Sequence, residues 1–266
     1  MTQPTPDFKT IQVVRDGRLL LVALNRPDAM NAFDKHMHDE FPVALDFARD
    51  DPYSDVIILT GRGKAFSAGG DFAHILNNAD HPEQFDHEIA MARRIVETLI
   101  DIEKPVICRM NGHAVGLGAT VALLCDIIFA SNRAKIGDPH VNIGLVAGDG
   151  GAIVWPQRLG LTRAKEYLLT GDLITAEHAA EIGLINRAVD PENLEETVAK
   201  LCAGLLAKPQ FALRKTKALT NLELKRACKA LLDPGLAWES QSVRDADHRE
   251  AITAMIEKRP PDFSRT

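Results

Sequence analysis

Cysteine is scarce in this chain of 266 residues: only Cys108, Cys125, Cys202 and Cys228 occur. They are too widely spaced for a CxxC pair, and each sits in an apolar stretch where a free thiol behaves as a small hydrophobe, so a reducing cytoplasm is expected. Long hydrophobic runs are missing as well. No stretch reaches the roughly 18 uninterrupted apolar residues of a membrane span. The start, MTQPTPDF, has no basic region followed by an apolar run, so neither membrane insertion nor secretion is expected. A block of one charge sign is absent too, because the 31 Lys and Arg residues are scattered and the formal net charge is -6. That leaves no electrostatic footprint for duplex nucleic acid. GxGxxG, GxxxxGKS/T and GxSxG do not occur, which removes the sequence warrants for nucleotide binding and for serine hydrolysis. Internal repeats, low-complexity segments and Pro/Ser-rich linkers are lacking, so nothing marks a flexible join between independent domains.

What remains is a chain 45% hydrophobic and 26% charged, which excludes a mini-protein, a coiled coil and a disordered tail. Its length allows one large α/β domain or two modest ones. In residues 11–24, IQVVRDGRLLLVAL, Asp16-Gly17 separates two apolar runs and predicts a β-hairpin. Helical spacing of Met37, Phe41, Ala44, Leu45 and Ala48 predicts a helix over 34–49, with Pro42 expected to kink it or mark its start. Val56–Thr60, Val106–Met110 and Asp126–Ala130 read as strands buried on both faces of a mostly parallel sheet, with helices at 86–103 and 116–125 between them. From about residue 161 strand signals nearly vanish, and helices are expected near 162–169, 175–182, 192–207, 210–221 and 235–257.

Two glycine-rich segments follow buried strands. Phe66-Ser67-Ala68-Gly69-Gly70-Asp71 comes after the strand at 56–60, and Asn111 to Ala119, NGHAVGLGA, comes after 106–110 and opens a helix. Small residues let the backbone approach a ligand, and the first amides of a helix have no internal partner. Two such donors aimed at one point would make an oxyanion hole. Taken singly, each cluster is a turn more often than a site; the conjunction carries the weight.

LNRPDAMNAF, KAFSAGGDF, KPVICRMNGHAVGLGATVALLCDIIFA and LTGDLITAEHAAEIGLINRAV, in this order, resemble the crotonase family, the enoyl-CoA hydratase/isomerase superfamily. The match runs from about residue 11 to the tail EKRPPDF. The resemblance implies an α/β fold: a crotonase-like spiral of ββα units over residues 1–200 holding an acyl-CoA site, and a helical C-terminal region over 201–266 that builds homotrimers or homohexamers. It implies an acyl-CoA substrate, a thioester enolate held by the amides of Gly70 and Leu117, and no cofactor beyond the CoA thioester itself. CoA contacts fall by position on Arg26, Ala29 to Ala32, Ala68, Asp71 and Lys258, the last from a neighbouring subunit; solvated surface charge is an equal reading of Arg26 and Lys258.

The chain departs from the family where its hydratases place two glutamates, for Thr120 and His140 stand there. Thr120, whose hydroxyl cannot serve as a base near neutral pH, is read as a pocket wall or water-orienting group. His140 has an ordinary pKa near 6.5 and can act as the base, and Asp149 in GLVAGDGG is close enough in sequence to hold its tautomer as a His-Asp dyad. A satisfied structural imidazole and a loop cap are the plainer readings of these two residues. Pro139-His140 and Gly148-Asp149-Gly150 also resemble the superfamily's β-diketone hydrolases. Three functions therefore stay open: enoyl-CoA hydration or a related enolate reaction such as isomerisation, hydrolysis of a carbon–carbon bond in a β-dicarbonyl compound, and acyl-CoA binding without catalysis. His36, His38, His74, His81 and His87 do not combine with Cys or carboxylates at metal-ligand spacing, so no metal is expected. Glu239, Asp245, Asp247 and Glu250 read as a solvated or intersubunit helix face.

Overall fold

A computed structural model describes residues 5–265. The first four residues of MTQPTPDF, on which the expectation of no secretion leader partly rests, lie outside the described residues. The expected hairpin forms from β1 (Ile11–Asp16) and β2 (Leu19–Leu24), with Asp16 opposite Leu19. Asp34 then caps α1 (Lys35–Asp50) by accepting from the Met37 amide at 2.9 Å. Pro42 neither starts nor ends this helix; it sits inside, buried, and the helix runs through it. After β3 (Val56–Gly61) come α2 (Phe72–Asp80) and α3 (Pro82–Asp101), the former capped by Asp71. Next are β4 (Val106–Met110), β5 (Ala114–Val115), α4 (Leu117–Leu124), β6 (Ile127–Ser131) and β7 (Lys135–Gly137).

The remainder comprises α5 (Gly151–Leu159), α6 (Leu161–Thr170), β8 (Ile174–Thr175), α7 (Ala176–Glu181), β9 (Arg187–Val189), α8 (Pro191–Leu206), α9 (Gln210–Ser242) and α10 (Ala246–Glu257). Strands β1-β2-β3-β4-β6-β9 form one sheet, parallel from β2 onward, and β5-β7-β8 form a second. The sheet's parallel strands explain the continuous apolar runs, since both faces are covered. One face packs Val56, Ile107 and Phe129 against Leu194, Val198 and Cys202 of α8. The other belongs to the main core around Phe41, Phe66, Ile95 and Trp155. Among the described residues no helix is long and apolar enough to cross a membrane.

Two sequence expectations need correction. Strands do recur after residue 161, as β8 and β9, but at two and three residues they are too short to show an alternating pattern. The helices expected at 210–221 and 235–257 are divided differently: α9 runs unbroken for 33 residues through Asp233-Pro234-Gly235, and the break comes at 243–245. Asp-Pro-Gly reads as a turn in isolation. Here Gly235 faces the backbone of Gly148, where a Cβ on Gly148 would lie 2.1 Å from the Gly235 carbonyl oxygen. The small residue is needed for that approach, and it brings the next turn of α9, with Glu239, against the loop that precedes α5. The stretch 201–266, expected as an assembly region, thus packs on its own core.

Arg158 shows how α4 is held. Its guanidinium donates to the carbonyls of Leu123 at 2.5 Å and Cys125 at 2.7 Å, satisfying groups at the C-terminal end of a wholly buried helix. Arg158→Met keeps the apolar stem but orphans those carbonyls. It is expected to lower stability by about 2–3 kcal/mol in urea unfolding, whereas a change of a few tenths would show that water replaces the guanidinium.

Candidate active site

The loop after β3 and the turn into α4 are tied together through their backbones. Phe66 and Ser67 amides both donate to the His113 carbonyl, and the Val115 amide returns a bond to Ser67 at 3.0 Å. The Ser67 hydroxyl donates to the Asn31 carbonyl at 2.8 Å and accepts from the Gly69 amide at 3.2 Å. The loops cross where both residues are glycine with positive φ, Gly69 at +87° and Gly116 at +54°. A Cβ on Gly69 would lie 2.8 Å from the Val115 carbonyl oxygen, so no side chain fits there. Beyond the crossing lie the amides of Gly70 and Leu117, and neither donates to an acceptor among the described residues. Leu117 is the first residue of α4, so its N–H also stands at the positive end of the helix dipole.

Both residues line one cavity of about 430 Å³, shared with His140, Asp149 and Glu239. His140 rests on the crossing itself: a Cβ on Gly116 would lie 3.4 Å from its Cε1. Its Nδ1–H donates to the Asp138 carboxylate, fully buried behind it. Its Nε2 lies 3.6 Å from Asp149 Oδ2 and 3.9 Å from Glu239 Oε1. Asp149 Oδ1 accepts from the Thr120 hydroxyl at 3.3 Å and the Gly151 amide at 3.4 Å, leaving Oδ2 toward the imidazole. The Glu239 Oε2 is buried without a partner among the described residues.

One imidazole among three carboxyls sets the electrostatics. Burial alone would lower the His140 pKa, but the charges of Asp138 and Asp149, with help from Glu239, raise it well above 6.5. Burial raises Asp149 above the usual carboxylate range, opposed by His140 and reinforced by Asp138. Burial also raises Glu239 well above its ordinary value, with the like charge of Asp149 adding to it. The cluster therefore favours a proton on the imidazole, and both Asp149 and Glu239 hold a proton more readily than ordinary carboxyls do.

Of the residues expected at the site, Gly70, Leu117, Ala68, His140 and Asp149 line the cavity. Thr120 does not; it is fully buried behind Asp149 and positions that carboxyl. Asp149 was expected to hold the His140 tautomer; in the structure Asp138 takes Nδ1 and Asp149 faces Nε2. Sequence reading missed Asp138 although it lies two residues before His140. It also read Glu239 as part of a solvated or intersubunit face, whereas α9 buries it, 4% exposed, in the cavity wall. Arg26 is no free cation: it pairs with Asp34 at 3.2 Å and Asp71 at 3.1 Å and donates to the Ala32 carbonyl, knitting the RPDAMNA segment. Ala29 and Ala32 belong to that segment and, like Arg26 and Asp71, stand outside the cavity lining. Lys258 is exposed at the end of α10 and forms no ion pair among the described residues. The expectation that the histidines lack metal-ligand partners is corrected by folding. His38 of α1, His74 of α2 and Glu88 of α3 place donor atoms within 4.8 Å of one another, as do Asp138, His140 and Asp149, and each set is of a kind that could hold a cation.

A family model described as enoyl-CoA hydratase/isomerase matches residues 15–266. A crotonyl-CoA hydratase of Syntrophomonas wolfei is 36% identical over 96% of this chain and 98% of its own length. A 1,2-epoxyphenylacetyl-CoA isomerase of Escherichia coli is 33% identical over 92% of this chain and 95% of its own. The crystal structure of an enoyl-CoA hydratase/isomerase from Mycobacterium paratuberculosis superposes with a TM-score of 0.88 at 39% identity, covering 93% of this chain and 99% of that one.

The charge state of His140 is open to direct measurement. Because its pKa is raised in the folded state, its contribution to stability is complete below the unfolded value of 6.5 and is lost as pH rises through the higher folded value. An NMR titration of the ring, assigned by comparison with His140→Gln, is expected to show imidazolium still present at pH 7.5. Titration at or below 6.5 would show that the carboxyls do not act on it.

Proposed function

The chain belongs to the enoyl-CoA hydratase/isomerase family, and from that premise we propose that it adds water reversibly to an enoyl-CoA thioester through an enolate. One observation carries this reading: two unengaged backbone donors, Gly70 and Leu117, line the same cavity as a buried imidazole–carboxyl cluster. A thioester oxygen placed between the amides becomes negatively charged as the enolate forms, in a site where fixed dipoles act through little water. The imidazole–carboxyl cluster in the same cavity then has to handle water and one proton.

The geometry gives each group a role. An imidazolium cannot accept a proton, so His140, clamped by Asp138, is assigned to orient Asp149, its charge opposing the rise that burial imposes on that carboxyl. Asp149 takes a proton from water as the oxygen attacks the β carbon, and Glu239, kept protonated by burial, delivers a proton to the α carbon. The two transfers balance the addition of one water. This differs from the dyad read from the sequence, in which His140 itself was the base. Asp149 and Glu239 supply two carboxyls, one charged and one neutral, from positions other than the family's usual pair.

Hydrolysis of a β-dicarbonyl carbon–carbon bond is the second reading, favoured by Asp149 Oδ2 and His140 Nε2 meeting at 3.6 Å on the cavity wall. The same base would send water to a ketone carbonyl, with the enolate leaving group received by the same amides. Asp149→Asn separates function from fold: it keeps the Thr120 bond but removes the base. It is expected to lower kcat for crotonyl-CoA hydration, followed by loss of enoyl absorbance, by about 10²-fold or more with KM little changed. Unchanged kcat contradicts the assignment, and turnover confined to cyclic β-diketones, with a mass gain of one water, selects the second reading.

A further inference from the structure

We propose that His38, His74 and Glu88 form a binding site for one zinc-type divalent metal ion, with a coordination position open to the cavity lined by Gly70 and Leu117. The three residues come from three successive helices, α1, α2 and α3, and their donor atoms converge to within 4.8 Å. Two imidazoles and one carboxylate suit zinc and its transition-metal neighbours, whereas magnesium and calcium take oxygen ligands. The site belongs to the same cavity as the groups already described. His38 and Glu88 line it, and the charge of Glu88 adds to the rise that burial imposes on Glu239. His74 stands outside the lining, so an ion held by all three sits in the wall with its remaining position toward the cavity.

The contacts favour an ion over a simple ion pair. Among the described residues His74 Nε2 is buried and lies 2.7 Å from Glu88 Oε1, yet it makes no hydrogen bond to that oxygen. An ion pair would point the N–H along that line, while two ligands of one ion lie side by side. The His38 and His74 rings are 6.2 Å apart between centroids, a separation that two metal–nitrogen bonds of about 2 Å can bridge. Both cavity-lining ligands are braced from behind. His38 Nδ1 lies 3.0 Å from the Asp34 carbonyl oxygen, which leaves Nε2 for the metal, and Asn78 donates to Glu88 Oε1 at 2.6 Å. Outer partners of this kind fix the orientation of ligating imidazoles and carboxylates. No particular protonation state is needed beforehand, because a binding metal displaces the protons its ligands carry. The other convergent set, Asp138, His140 and Asp149, is less suited: it has one imidazole, and His140 Nδ1 is already engaged with Asp138.

The test is metal binding by the full-length protein without an affinity tag, stripped with chelator and dialysed against zinc, cobalt or magnesium. The wild type is expected to retain one equivalent of zinc that excess magnesium does not displace, and to show the visible absorption of four-coordinate cobalt. Zinc should raise its Tm. His74→Ala, outside the cavity lining, and Glu88→Gln, which keeps the side-chain shape, should each lose the ion and the zinc-dependent rise in Tm; their metal-free Tm identifies them as folded. Asn78→Leu should weaken binding by about tenfold or more. His140→Gln and Asp149→Asn should keep the ion. Acetohydroxamate, an oxygen ligand that enters a free coordination position, should shift the cobalt bands. No zinc in the wild type, equal retention of magnesium, or an ion kept by folded His74→Ala and Glu88→Gln overturns the site. Loss of the ion in His140→Gln but not in His74→Ala assigns it to the other set and equally overturns it. Cobalt bands unmoved by acetohydroxamate overturn the open position. None of these readouts depends on turnover, so failure of the metal site leaves enoyl-CoA hydration standing, and failure of hydration leaves the metal site standing.

Discussion

Everything functional in this molecule depends on one close approach, the backbone crossing of Gly69 and Gly116. At +87° and +54°, with a carbonyl 2.8 Å from where a Cβ would stand, the crossing tolerates no side chain. It leaves the amides of Gly70 and Leu117 unengaged on one cavity and gives the His140 ring a flat surface to lie on. The sheet explains why the crossing is stable. β3 and β4 are parallel neighbours, so the loops that follow them emerge on the same side, and reciprocal bonds between Ser67, His113 and Val115 lock them in register. Hydrogen bonds that satisfy one part of each loop are what leave the next amides free.

Charge organises the wall beside the crossing. Three carboxyls around one imidazole in a buried space raise the proton affinity of the ring and of Glu239 alike. Asp138 is anchored behind the ring, where it holds Nδ1. Asp149, bonded to Thr120 and Gly151, is left to face the cavity. The C-terminal helices are part of this arrangement, because the Gly148–Gly235 approach seats Glu239 in the wall and α10 contributes Met255 to it. A region that the sequence suggested for assembly thus also carries an ionisable group of the candidate site.

The fold was largely legible because buried parallel strands and amphipathic helices leave strong patterns. IQVVRDGRLLLVAL, VIILT and VICRM became β1 to β4 within a residue or so. Legibility failed where a local signal was overruled by a contact distant in sequence: Asp-Pro-Gly reads as a turn until Gly148 is seen against it, and a three-residue strand such as β9 has no pattern of its own. The glycine segments and His140 could be read because each lies within one short motif. Asp138, Glu239 and the His38–His74–Glu88 group could not, since their meaning comes from elements brought together by folding. Asp149 illustrates the middle case. Its proximity to His140 was readable, but which ring nitrogen it would face required geometry.

The central claim is that this cavity stabilises a thioester enolate between two amides while a carboxyl of the same cavity exchanges a proton with the α carbon. Deuterium incorporation into a saturated acyl-CoA in D₂O tests it without depending on the overall reaction. The account predicts enzyme-dependent exchange at the α carbon of butyryl-CoA, resolved by mass spectrometry. A butyryl-CoA that binds saturably yet gains no deuterium would contradict it.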